Sequence, residues 1–303
     1  MPLDQGQLLP VAQPLEAGAR QDHGLTGRRM PPTKPFRNAS GLPRRALLAG
    51  IGGLVALPAL AMPAGGDTAG WLSYEARLRD RLADAGGGRF EQVTERQLHT
   101  LTNGARASSG AAACGWSNEL ALTARAHAAD LAQRGYVEHL APEGFDPTHR
   151  VGLLARRMIG SASENIAYRR APSPPSADDL MGIWRKSEPH WPNLLRPNHA
   201  QVGFGVVTRG ERTYAVGLYA HPDGDLGAPL PFKIEGAADL SSVLAQASPR
   251  IESFALTDPL DERARLAVAQ DEALTPGVYQ LRPRRHLDSR RYQILWGPIF
   301  VRV

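Results

Sequence analysis

The chain has 303 residues, with 35 Lys+Arg against 30 Asp+Glu, nine His and one Cys. At roughly 150 residues per domain this length suits one large or two small globular domains, and 42% hydrophobic with 21% charged residues excludes wholesale disorder. The single Cys excludes an intrachain disulfide framework and a cysteine-based zinc knuckle.

The net charge of +5 hints at nucleic acid, but its location removes the hint. Residues 1–61 hold seven Lys/Arg and three Asp/Glu, so the remainder carries only +1 and no basic patch is left. Residues 1–43 are rich in Gln, Pro and Gly without an apolar period, which predicts disorder, and Met30 makes a more ordinary start than Met1. Arg44-Arg45 then precedes a Gly-containing apolar run that ends in Ala59-Leu60-Ala61, an A-x-A cleavage pattern with no stop-transfer segment after it. The run is too short and weakly apolar for a retained span. The arginine pair resembles a twin-arginine export signal, with Pro43 where Ser or Thr is usual. The expectation is an exported protein, periplasmic or secreted, in which 1–61 is leader and signal.

Residues 62–88, punctuated by Gly, read as a linker around a short helical stretch. A first helix is predicted over 89–106, with Phe90, Val93, Leu98 and Leu101 at helical spacing. A second runs over 118–134, capped by Ser117 and stopped by Gly135. A third lies near 177–186. Residues 201–208 and 213–220 alternate as strands across an Arg209-Gly210-Glu211-Arg212 hairpin. The class predicted is α+β. Beyond 222, weak alternation over 251–256 and 263–269 precedes clearer strands at Tyr279 and Leu281, at Tyr292, Ile294 and Trp296, and at Ile299, Val301 and Val303. Residues 223–303 thus read as a small mostly-β module, packed on the first domain because its own core is thin. Arg282, Arg284, Arg285, Arg290 and Arg291 gather at one expected hairpin tip, either solvated or in contact with an anion or polysaccharide.

The most specific signal is a series of short segments in fixed order. Leu101-Thr102-Asn103-Gly104-Ala105-Arg106 is followed by Trp116-Ser117-Asn118-Glu119-Leu120, Ala124-Arg125-Ala126-His127-Ala128 and Gly135-Tyr136. Next come His139-Leu140-Ala141-Pro142-Glu143-Gly144, Glu164-Asn165-Ile166-Ala167, Trp184-Arg185-Lys186-Ser187, His190, Asn193 and Val202-Gly203-Phe204-Gly205-Val206. The series resembles the CAP superfamily, which includes cysteine-rich secretory proteins, venom antigens, pathogenesis-related proteins and bacterial SCP-like proteins. The resemblance implies an αβα sandwich over 89–222 and a central cleft in which two His and two Glu converge.

On this chain the resemblance places His139, Glu164 and His190 in that cleft, as candidates for catalysis or for a divalent metal such as zinc. Two imidazoles and a carboxylate suit a zinc site with an open position. Without metal, a carboxylate fixes the tautomer of a neighbouring His and raises its pKa. The second acidic position is Ser187 here; Glu188 is adjacent but points about 100° away on a helix. Around His190 a Gly of the bacterial pattern is Pro189, which cannot take φ > 0. Ser187, Glu188 and Asn193 are expected to line the cleft. His127 reads as a packed structural residue, His149 and His199 as solvated loop residues, and Cys114 as buried. Three functions stay open: a non-enzymatic module binding a small apolar or lipid-like ligand, which the resemblance favours; a metal-assisted hydrolase of peptide or cell-wall material; and a structural envelope protein whose β module binds surface glycan.

Overall fold

The computed structural model describes residues 67–235, 237–261, 265–267, 274–288 and 291–303. The leader and export-signal residues, Arg44, Arg45, Ala59 and Ala61 among them, lie outside the described residues, as does Arg290. In chain order the elements are α1 (Thr68–Asp84), β1 (Arg89–Phe90), α2 (Gln92–Ser108), β2 (Gly115–Trp116), α3 (Asn118–Arg134), α4 (Pro147–Leu154), β3 (Met158–Ile159), β4 (Ala162–Arg170), α5 (Ala177–Arg185) and α6 (His190–Leu195). They continue through the hairpin β5 (Gln201–Arg209) and β6 (Arg212–Ala220) to β7 (Gly224–Asp225), β8 (Lys233–Ile234) and α7 (Ala237–Leu244). The last strands are β9 (Ser253–Thr257), β10 (Arg265–Ala267), β11 (Gly277–His286), β12 (Tyr292–Ile294) and β13 (Ile299–Arg302).

The first sheet has the order β1-β5-β6-β4, with β2 beside β5, so β4 is an edge strand. Alternation along β5 divides the core into two layers. Val202, Phe204 and Val206 face Leu98 of α2 and Leu180, Met181 and Trp184 of α5, while Val207 faces Leu120, Ala124 and Leu131 of α3. Gly203 and Gly205 let α3 lie directly on the sheet: a Cβ at either would come within 2.1–2.2 Å of the Ala121 or Arg125 backbone nitrogen. The result is an αβα sandwich of the α+β class. Cys114 is buried, as expected, and so is Trp184.

Three sequence expectations are corrected here. Residues 89–90 are a strand paired with Val207 and Thr208, and the helix starts at Gln92, leaving Val93 73% exposed. The stretch expected as a linker carries a packed helix. Trp71, Tyr74 and Leu78 of α1 recur at helical spacing and are fully buried with Phe145, Leu153 and Ala126. His149 is not a solvated loop residue. It closes a capping box with Asp146 at the start of α4, its ring 5.4 Å from that of Trp71.

The C-terminal strands form a second sheet, β10-β9-β11-β13-β8, with β12 on β11. One of its faces builds a core with α7 through Leu240, Leu256, Tyr279, Leu281 and Phe300; the other sends Val278, Ile299 and Val301 onto α1 and α4. Arg156 locks this junction: its buried guanidinium donates to the carbonyls of Gly152, Leu230, Pro231 and Ile299 at 2.7–3.1 Å. Burial lowers its pKa to about 10. The expected arginine tip is also dispersed. Arg282 is buried and donates to the Leu295 carbonyl, Arg285 pairs with Asp223, and Arg291 pairs with Asp288.

Candidate functional site

Glu164 points inward from β4, whose outer edge pairs with no strand among the described residues. Each of its oxygens accepts from an imidazole: Oε2 from His127 Nδ1 and Oε1 from His139 Nδ1, both at 2.8 Å. Arg150 Nη2, from α4, lies 3.2 Å from both oxygens. The same nitrogen donates to the His139 carbonyl at 2.7 Å, and Nη1 donates to the Phe145 carbonyl at 3.0 Å. Arg150 therefore fixes both the carboxylate and the loop that carries His139. That loop leaves α3 at Gly135, whose φ of 72° a residue with a Cβ takes only under strain.

Burial would raise the Glu164 carboxyl pKa, but His127 and Arg150 outweigh it and hold it far below the usual carboxylate range. His127 is pushed down, by burial first and then by Arg150, against the pull of Glu164. His127 was expected to be a packed structural residue; it is also a direct partner of the carboxylate. Its place within a helix that starts at Asn118, on the face turned to the sheet, is the signal that could have shown this.

His190 opens α6 on the far side of β4, its ring centroid 6.5 Å from that of His139. The structure thus brings His139, Glu164 and His190 to one place, with Glu164 bonded to His139 and no bond from His190 to either. Burial, followed by the proximity of His139, lowers the His190 pKa, opposite to the rise expected beside a carboxylate. Asn193 belongs to the same wall: it donates to Asn165 Oδ1 at 2.9 Å, and Asn165 donates to the His190 carbonyl at 2.9 Å. Ser187 and Glu188 lie on the α5–α6 turn, and among the described residues neither side chain bonds to His190 or Glu164.

The donors do not fit the proposed metal centre. Both Glu164 oxygens are taken by three N–H donors, and the Arg150 guanidinium opposes a cation beside them. Among the described residues no group of three or more His, Cys, Asp or Glu is placed to hold a metal ion.

His199 is a further correction. Expected as solvated, it is buried, stacked on Tyr219, and 3.3 Å from Ser163 Oγ. Burial, aided by Arg196 and Arg106, lowers its pKa to about 4. A folded-state His pKa below the unfolded value of about 6.5 means that stability is present above 6.5 and is lost as pH falls toward 4. His127 acts in the same direction, and Glu164 adds its own loss below about 4.3. Urea unfolding at pH 7.5 and pH 5 is expected to show a loss on the order of 2 kcal/mol, reduced by His199→Gln. Equal stability at the two pH values would contradict it.

The αβα sandwich is the fold that the sequence resemblance implied. Residues 99–219 match the family model described as the cysteine-rich secretory protein family, CAP. Over those residues the chain carries a CAP-family domain. It is similar to the uncharacterized protein YkwD of Bacillus subtilis (strain 168), at 29% identity over 119 residues that cover 38% of this chain and 43% of that one. It is also similar to the uncharacterized membrane protein YlbC of the same organism, at 27% identity over 124 residues, covering 39% of this chain and 33% of that one. The chain thus spans less than half the length of either relative. Among solved structures, an outer surface protein from Borrelia burgdorferi aligns at 15% identity and a TM-score of 0.40, covering 45% of this chain and 99% of that one. An extracellular SCP-domain protein from Bacillus anthracis aligns at 22% identity and a TM-score of 0.35, covering 43% and 41%. Among the described residues no helix is long and apolar enough to cross a membrane.

Proposed function

We propose that this protein is an exported, non-enzymatic binding module whose His139/His190 cleft takes a small amphipathic ligand, lipid-like in its apolar part. The carrying observation is the saturation of Glu164: its carboxylate already accepts from His127, His139 and Arg150. A carboxylate so occupied and so strongly held in its charged form serves poorly as nucleophile, general acid or metal ligand. It serves well to fix the His139 ring. The ring is half-exposed, so its Nε2 is offered to a polar head group, and Val137 and Leu140 are exposed beside it for an apolar body. Export is read from the leader in the sequence.

One observation favours a second reading. An imidazole held at Nδ1 by a carboxylate, with Nε2 outward, is also the orientation of a general base acting on water. Native mass spectrometry of the exported protein separates the readings. The binding module retains a lipid-sized adduct that Leu140→Asp releases and Glu164→Gln weakens. Zinc at unit stoichiometry, or turnover of peptide or cell-wall fragments abolished by His139→Ala, overturns it. A glycan-binding envelope role requires affinity for surface polysaccharide that survives His139→Ala.

A further inference from the structure

A second recess lies where β3 and the segment before β9 meet the β11–β12 hairpin. It encloses about 230 Å³ over an apolar floor of Ile159, Ile251 and Leu295. Three arginines stand around that floor: Arg250, Arg284 and Arg285. Arg285 is neutralised by Asp223 at 3.1 Å. Arg250 and Arg284 form no ion pair among the described residues, and Glu252 is the remaining acidic group at the rim.

Arg284 is the informative residue. Its strand position is fixed from both sides, opposite Ser253 of β9 and Ile294 of β12. Its guanidinium lies 5.0 Å from the Tyr292 ring centroid, which limits its freedom. Its Nε is buried and has no hydrogen-bond acceptor. A buried donor left without a partner carries the cost of its lost hydration, and a planar guanidinium matches a carboxylate in a forked, charge-assisted contact.

We infer that this recess is a binding site for a compact organic carboxylate, its charge on Arg284 and Arg250 and its apolar body on Ile159, Ile251 and Leu295. The volume lies below the roughly 300–1,000 Å³ of pockets for drug-sized ligands, so the occupant is a short acyl chain or one apolar side chain. Two sources share this chemistry: a free carboxylic acid and the C-terminus of a peptide ending in an apolar residue. The inference does not depend on the function proposed for the His139 cleft.

Titration calorimetry on the full exported chain, with hexanoate, hexanol and N-acetyl-leucine at low salt, tests it. Hexanoate is expected to bind saturably, and hexanol at least about tenfold more weakly. Arg284→Gln and Arg250→Gln should each weaken hexanoate, Arg284→Gln by about tenfold or more. Arg250 is exposed, so its variant tests the site even if Arg284→Gln disturbs the sheet. Glu252→Gln removes a like charge and should tighten binding, while His139→Ala should leave it unchanged. Tighter N-acetyl-leucine than hexanoate marks a peptide terminus as the source; the reverse marks a free acid. No saturable binding, equal binding of hexanoate and hexanol, or indifference to both arginine variants overturns the inference.

Discussion

Arg150→Met is expected to lower the unfolding free energy by about 3–5 kcal/mol, because removing one partner of a buried ion pair leaves an uncompensated charge. Arg150 is fully buried and contacts both Glu164 oxygens and two carbonyls, of His139 and Phe145. Burial alone would lower its pKa, yet the Glu164 charge more than reverses that, so the ion is held by this partner. At about 2–4 °C per kcal/mol for a chain of this size, the melting temperature should fall by roughly 6–20 °C. Arg150→Lys keeps the charge but not the fork and should lie between. Glu164, left without the guanidinium that helps hold its pKa down, should take up its proton at higher pH, moving the acid limb of the stability curve upward. Urea titrations of the three proteins at pH 7.5 and 4.5 measure both effects. A loss under about 1 kcal/mol would mean that Arg150 does not sustain the buried carboxylate.

Trp71→Ala should cost a similar 3–5 kcal/mol, roughly the usual range for truncating a large buried aromatic. Trp71 is fully buried in α1, its ring centroid 4.7 Å from that of Phe145, on which Tyr74 also stacks at 4.1 Å. Phe145 in turn offers its carbonyl to Arg150 and to the Ala141 amide at 2.9 Å. A helix outside the matched family region therefore holds the loop that presents His139. The variant should lose amide-exchange protection at Ala141 and Arg150 while β5 and β6 keep theirs. Exchange that rises only within α1, or a loss below about 1 kcal/mol, would show that α1 is a passive covering.

The elements most legible in the sequence were those whose signal is local. Ser117 and Gly135 bracket α3 through a side-chain cap and a left-handed stop, and both ends match the expectation. The β5–β6 hairpin follows from alternation across four turn residues, with Arg209 opposite Arg212. Strand β4 was not read, although it carries Glu164, because one buried run along Glu164, Asn165, Ile166 and Ala167 has no clean alternation. Helix α1 was hidden between glycine-rich ends: its three aromatic and aliphatic anchors gain meaning only against Phe145 and Leu153, far later in the chain.

The sequence by itself determined the family, the α+β class and two of the groups that touch, His139 and Glu164, because short motifs carry those identities in order. Tertiary structure alone decided their chemistry. Only the approach of α3 and α4 to the edge of β4 brings His127 and Arg150 onto the Glu164 carboxylate, filling the oxygens that a metal would need. Removal of water there opposes every charge, and the sign of each pKa shift follows from whether the neighbours outweigh it, as they do at Glu164 and Arg150 but not at His127. The same dependence on distant partners set His199 inside, pairing its buried ring with Tyr219, and drew Arg282 and Arg285 away from the expected tip to the Leu295 carbonyl and Asp223.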